Sequence, residues 1–280
     1  MRGKAGYLGA NHSKGYNISA LVYAGRGFSP YTINGRDEVA GPQDVFLTLD
    51  GSNVFVADWG NYVNRFSLPV PWQLSGVTFV QSFSVAAQEA LLTSAFFKPD
   101  GLKMYVAGFS GNDITEYALT SAWDMSTATH IGQTSLQTSS PRVVRFSPDG
   151  LRMYILHRLA GSGSGYEEAR VAQYDLATAW DVSSASHVRN FNFPSGSTGT
   201  GHLQPSSFTM KADGASMFYA ASFSQNLFEY ELSDPWNVST ATYRRAGYVG
   251  YLGGICFGND GASCYLGSSI GLDVNEYNCV

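Results

Sequence analysis

The sequence predicts an all-β chain folded as a five-bladed β-propeller of four-stranded antiparallel blades, on three observations. Asp-Gly dipeptides recur at Asp50, Asp100, Asp149, Asp213 and Asp260, roughly every 50 residues. Each opens the same order of strand-like segments and turns. The piece missing from the last repeat stands near the start of the chain.

The clearest copies of the first element run Phe97-Lys98-Pro99-Asp100-Gly101-Leu102-Lys103-Met104-Tyr105-Val106 and Phe146-Ser147-Pro148-Asp149-Gly150-Leu151-Arg152-Met153-Tyr154-Ile155. A third runs from Met210 to Tyr219 around Asp213-Gly214. An apolar strand, a tight Asp-Gly turn and an alternating strand make a β-hairpin. The third strand follows as Ile114–Leu119, Val171–Leu176 and Leu227–Leu232, with polar and apolar positions alternating. On this pattern Glu116, Glu229 and Glu276 read as solvated strand positions. A second turn comes next, at Trp123-Asp124-Met125-Ser126, Trp180-Asp181-Val182-Ser183 and Trp236-Asn237-Val238-Ser239. The Asp or Asn side chain can accept from the backbone two residues on and so fix the turn. The Trp reads as an apolar cap on the blade edge. A fourth strand starts near His130, His187 or Tyr243, so both histidines read as repeat positions rather than ligands.

The first copy is degenerate: Asp50-Gly51, Val54–Val56, Val63–Leu68, then Trp72-Gln73-Leu74-Ser75. The fifth has Asp260-Gly261, Cys264–Leu266 and Val274–Tyr277, and stops before any Trp turn. Tyr16-Asn17-Ile18-Ser19-Ala20 matches Trp236-Asn237-Val238-Ser239-Thr240, and Leu21-Val22-Tyr23 supplies a fourth strand. The N-terminal strand thus completes the C-terminal blade and leaves no open sheet edge. Both halves of one blade are accounted for, which makes five the full set. Residues 1–13 fall outside the repeat as an N-terminal tail, and 14–280 form a single propeller domain.

Composition agrees. Of 280 residues, 31 are Gly and 34 are Tyr or Phe, while 14% are charged, a balance suited to short strands and tight turns. Net charge is −5 with no basic run, which argues against a nucleic-acid partner. No apolar run is long enough to cross a bilayer, so no membrane insertion is expected. The start, Met1 to Gly6, lacks the apolar core of a signal peptide. Cys256, Cys264 and Cys279 show no disulfide or zinc spacing and read as small buried thiols. No phosphate loop, calcium loop or Gly-x-Ser-x-Gly elbow is present, so no catalytic residue, metal or cofactor is implied. Gly161 to Gly165 is a flexible loop by composition. Asn17-Ile18-Ser19 and Asn237-Val238-Ser239 match the glycosylation pattern but are copies of the structural turn.

The pattern Phe-x-Pro-Asp-Gly-x-x-Met-Tyr-Val, then Glu-Tyr-x-Leu, then Ala-Trp-Asp-x-Ser-x-Ala resembles a propeller repeat of phage tail-associated and marine bacterial surface proteins. The resemblance covers residues 16–280. It implies a virion or extracellular-surface location, with other virion proteins or a host-surface glycan as partners. It supplies no site to transfer.

Spacing locates insertions instead. From the Asp of Asp-Gly to the Trp of the same blade takes 22, 23, 31 and 23 steps, which places an insertion within Arg158 to Arg170. From Trp to the next Asp-Gly takes 28, 26, 33 and 24 steps, which places another near Pro194 to Ser206. The connection into the first blade, Gly25 to Gln43, is longer still. All three fall on the face opposite the Asp-Gly and Trp turns. Loops carried by a rigid scaffold often hold function. The candidate contact residues there are Tyr31, Arg36, Asp58, Trp59, Asn61, Phe109, Asn112, His157, Arg158, Tyr166, His202, Phe223 and Asn226. Rings stack on sugars and amides hydrogen-bond them. The competing reading is packing, because Trp59, Phe109 and Phe223 occupy equivalent repeat positions.

Three functions compete. The first is a non-catalytic, virion-associated module of tail or fibre type that binds a host-surface glycan or a partner protein. The second is a purely structural assembly or decoration protein. The third is a lactonase or hydrolase of propeller type, which should place carboxylates, His or a metal on the inner strands. Those strands read as mostly apolar, with Arg145 the exception.

Overall fold

The computed structural model describes residues 16–30, 41–136, 140–159, 168–194, 205–222, 224–250, 253–258, 261–268 and 271–279. Among the described residues twenty strands run in chain order: β1 Leu21–Phe28, β2 Pro42–Leu47, β3 Asn53–Asp58, β4 Tyr62–Ser67, β5 Thr78–Ser84, β6 Leu92–Phe97, β7 Lys103–Gly108, β8 Asp113–Leu119, β9 Ala128–Ser135, β10 Pro141–Phe146, β11 Arg152–Leu159, β12 Glu168–Leu176, β13 Ala185–Asn192, β14 Pro205–Met210, β15 Ser216–Ala221, β16 Asn226–Leu232, β17 Ala241–Tyr248, β18 Ile255–Gly258, β19 Ser263–Ser268 and β20 Asp273–Cys279. They form five four-stranded antiparallel sheets. Blade 1 is β2–β5, blade 2 is β6–β9, blade 3 is β10–β13 and blade 4 is β14–β17. Blade 5 is ordered β18-β19-β20-β1, so strands from the two ends of the sequence pair. The first strands β2, β6, β10, β14 and β18 touch one another around the ring, which is the five-bladed propeller.

The turns form for local reasons. Asp50, Asp100, Asp149 and Asp213 each accept the backbone N–H two residues on, at 2.9–3.0 Å. The following Gly takes a φ of 68–73° in each, the left-handed region. These glycines are needed twice over. The Trp72, Trp123, Trp180 and Trp236 rings lie where a Cβ on Gly51, Gly101, Gly150 and Gly214 would be, 2.2–2.5 Å away. In the second turn Asp124, Asp181 and Asn237 accept the N–H of Ser126, Ser183 and Ser239. Asn17 does the same for Ser19. The backbone N–H groups of these Trp residues donate to the Gly carbonyls at 3.0 Å, and the Tyr16 backbone N–H donates to Gly261 O at 2.8 Å. Tyr16 therefore takes the Trp place in blade 5. The indoles are not blade-edge caps: each covers its own Asp-Gly turn, because the left-handed Trp backbone folds the ring back over the glycine.

Five apolar clusters fill the five junctions between blades. Each junction also carries a hydrogen bond to the carbonyl of the next blade's turn aromatic. The donors are Arg65 Nη1 to Trp123 (3.0 Å), Tyr105 to Trp180 (2.8 Å), Tyr154 to Trp236 (2.7 Å), Arg245 Nη2 to Tyr16 (3.3 Å) and Tyr265 to Trp72 (2.6 Å). The Met-Tyr of the hairpin motif thus supplies a core side chain and a junction donor.

Glu116, Glu229 and Glu276 correct the sequence reading. They are 6%, 1% and 0% exposed, because the next blade covers the face that alternation alone marks as wet. Lys103 Nζ pairs with Glu116 at 3.1 Å, and Arg244 and Arg245 meet Glu229 at 3.0 and 2.5 Å. Glu276 accepts Arg26 Nε at 2.8 Å and the Leu74 N–H of blade 1 at 3.0 Å. His130 and His187 are exposed on outer strands, edge-on to Tyr117 and Tyr174. Of the three thiols only Cys264 is fully buried; Cys256 and Cys279 are partly open, and all are free. Burial pushes Cys256 up to about 11 and Cys279 to about 12.

Candidate functional site

The channel axis is closed by charge. Asp44 on β2 and Arg145 on β10 meet across the ring in a two-pronged pair, Nη2–Oδ1 2.7 Å and Nη1–Oδ2 2.9 Å. Ser94 on β6 donates to Asp44 Oδ2 at 2.6 Å, and the Val45 N–H donates to Oδ1 at 3.0 Å. Three blades are thereby tied at the centre. Asp44 is 1% exposed and Arg145 7%. The inner strands are thus less apolar than the sequence reading held. Asp44 and Ser94 join Arg145 there, and a charge opposite to Arg145 on another first strand is the sequence signal for the pair. Every lone pair this carboxylate offers in the plane of the pair is engaged, which suits a strut.

On the Asp-Gly side of this plug lies a cup of about 160 Å³ lined by Phe46, Phe96, Trp123, Trp180 and Trp236 with Arg145. The lining is mainly apolar and the cup is part of the junction packing: Phe46 lies 6.2 Å from Trp123, and Phe96 lies 6.4 Å from Trp180, ring centre to centre.

The opposite face carries the candidate residues. Asp58 is fully buried and accepts the Tyr62 N–H at 3.2 Å and Asn64 Nδ2 at 2.8 Å. Asn61 and Asn112 sit at φ 62° and 54° in the turns after β3 and β7. Their side-chain oxygens accept the N–H groups of Leu92 and Ser140 at 2.9 and 2.7 Å, which hold the start of the next blade. Asn226 opens β16 and pairs with Ala221 and Tyr248. His157 is buried near the end of β11, opposite Pro141 and Arg170. The insertion after it lengthens the hairpin, pairing Arg158 with Ala169 and Leu159 with Glu168. Tyr31, Arg36, Tyr166, His202 and Phe223 lie outside the described residues, as do residues 1–13.

Trp59, Phe109 and Arg158 come together. Trp59 is 38% exposed and stacks on Phe109, with ring centres 6.2 Å apart at 29°. Arg158 lies over the Phe109 ring at 5.2 Å. A residue the sequence reading missed completes the group: the Arg142 guanidinium is 4.3 Å from the same ring centre. Burial first, and the charge of Arg158 second, push the Arg142 pKa down to about 9. Burial also lowers Arg158. The group is a stacked aromatic pair under two cations, a shape able to hold a flat or ring-bearing ligand with negative charge. Among the described residues no three of His, Cys, Asp and Glu gather at a metal-binding spacing.

No protein-family model matches the chain, and no curated protein matches it. Solved structures resemble it in shape. A structure of the Mitotic Checkpoint Complex aligns at TM-score 0.51 and 12% identity over 87% of this chain and 76% of the other. A candidate 6-phosphogluconolactonase from Bacteroides fragilis aligns at TM-score 0.49 and 16% identity over 77% of this chain. The periplasmic gluconolactonase PpgL of Pseudomonas aeruginosa aligns at 0.45 and 14% over 76%. This chain spans 57% and 55% of the lengths of those last two. At 12% identity the first of these likenesses speaks to the fold alone, and the other two, below a TM-score of 0.5, say nothing of function.

Proposed function

We propose that this propeller is a non-catalytic binding module of a virion tail or fibre, contacting a host-surface glycan or a partner protein through the face that carries the β3–β4, β7–β8 and β11–β12 loops. The observation that carries the reading is the exposed Trp59 stacked on Phe109, with Arg158 and Arg142 on the same ring. A large ring held by packing costs little entropy to bind with, which suits a contact anchor. The channel supports the non-catalytic part, since its acid and base are locked on each other. Location on a virion rests on the repeat's resemblance to tail-associated proteins.

Mass spectrometry and electron microscopy of purified particles from the source test it. The expected result is stoichiometric presence on the particle with the Trp59 face outward. Presence with that face buried against another subunit would make the chain an assembly part. Absence from particles would overturn the virion reading.

A further inference from the structure

Four blades share a one-residue bulge at the start of the first strand, between Pro42 and Asp44, Leu92 and Ser94, Pro141 and Val143, and Pro205 and Ser207. The bulged residues are Gln43, Thr93, Arg142 and Ser206. A bulge leaves its residue out of the ladder and re-aims the side chain. Three of the four are polar, buried and satisfied by nearby carbonyls. Gln43 Nε2 donates to Gly41 O at 3.1 Å, Thr93 Oγ1 to Ala107 O at 3.2 Å and Ser206 Oγ to Ala220 O at 3.1 Å. Arg142 breaks the series. Its Nε is buried with no acceptor, and its guanidinium rests on Phe109 beside that of Arg158.

Two like charges on one ring repel. Burial and this repulsion disfavour the charged form of Arg142, which is the direction its pKa takes. A guanidinium nevertheless keeps its proton at neutral pH. The cost is relieved by an anion, and a guanidinium fork fits a carboxylate or sulfate. Trp59 extends the platform from the half-buried cation to solvent, the order in which a charged sugar would be read: oxyanion inside, ring outside.

We propose that Arg142 and Arg158, stacked on Phe109 beside Trp59, form a binding site for an acidic saccharide, with the cations holding its oxyanion and Trp59 facing a pyranose ring. The proposal rests on this face being the contact surface and adds the charge of its ligand. The chain carries a net −5, so the attraction is local and weakens with salt.

Calorimetric titration of the full chain tests it, using inorganic sulfate and three oligosaccharides of equal length: sulfated, glucuronate-bearing and neutral. At least one acidic sugar should bind more than tenfold tighter than the neutral one, and which one does so tells sulfate from carboxylate. Loss of one charged hydrogen-bonding partner in Arg142→Met should weaken that binding roughly ten- to a hundredfold. Arg142→Lys, which keeps charge and loses the fork, should weaken it less and serves if the Met variant fails to fold. Trp59→Ala should weaken the sugar and leave inorganic sulfate unchanged. Equal binding of acidic and neutral sugars, or unaltered binding in both Arg142 variants, would overturn the proposal. Trp59-dependent adsorption to host cells without acidic preference would overturn the charge assignment alone. Sulfate binding without any Trp59-dependent adsorption would overturn the contact-face reading alone.

Discussion

Arg145 occupies a first-strand position that blades 1, 2, 4 and 5 fill with Phe46, Phe96, Thr209 and Cys256. Its charge persists in the core because Asp44 takes both prongs and Ser94 fills a remaining lone pair. Removing one member leaves the other charged, buried and unpaired, which costs far more than the pair gains. Asp44→Ala should lower stability by about 3–5 kcal/mol, and Asp44→Leu with Arg145→Met should restore most of it. Chemical denaturation of the three chains checks this. A double variant no more stable than the single would show that the pair is not the cause. The pair was only half legible in the sequence. Its partners lie 101 residues apart and meet only once the ring closes. Arg142 was invisible for a related reason: its aim is set by a bulge, which no residue pattern announces.

At the scale of the blade, the turns were the most legible feature because their causes are local. An Asp side chain reaching two residues on and a Gly at positive φ need nothing beyond a few neighbouring residues. The ring that covers each glycine comes from farther along the same blade. Ala at Gly150 would place its Cβ 2.2 Å from the Trp180 ring at φ 71°. Left-handed strain and the displaced indole together should cost about 2–4 kcal/mol. Gly132, on outer strand β9, has nothing within 4 Å and should accept Ala within about 0.5 kcal/mol. Thermal melts of Gly150→Ala and Gly132→Ala that coincide would refute the turn account. The third strands were read less well. Alternation within β8, β16 and β20 reports two faces of a sheet, yet both faces of a blade are covered by neighbours. Glu116, Glu229 and Glu276 are therefore buried and ion-paired within their own blades where solvent was expected. Asn61 and Asn112, singled out for exposed amides, have their oxygens committed to the next blade's first N–H groups.

For the whole molecule, the ring is held by a strand that arrives from residues 21–28. β1 pairs with β20, Arg26 meets buried Glu276, and Tyr16 covers Gly261. A chain lacking residues 1–28 would expose the β20 edge and uncover Glu276. It should lose cooperative unfolding and associate through that edge. A peptide of residues 16–30 added in trans should restore a sharp transition, by strand addition. A truncated chain that melts like the whole would contradict closure by β1. Closure also gives the molecule two distinct faces: an Asp-Gly face around the aromatic cup, and a loop face with the Trp59, Phe109, Arg158 and Arg142 group. The proposed function assigns contact to the second. The most direct test is adsorption of the labelled chain to host cells, comparing wild type with Trp59→Ala on the loop face and Leu49→Lys on the Asp-Gly face, where Leu49 is 67% exposed. The account predicts that Trp59→Ala loses most adsorption and Leu49→Lys keeps it. Loss with Leu49→Lys and retention with Trp59→Ala would place the contact on the opposite face and contradict it.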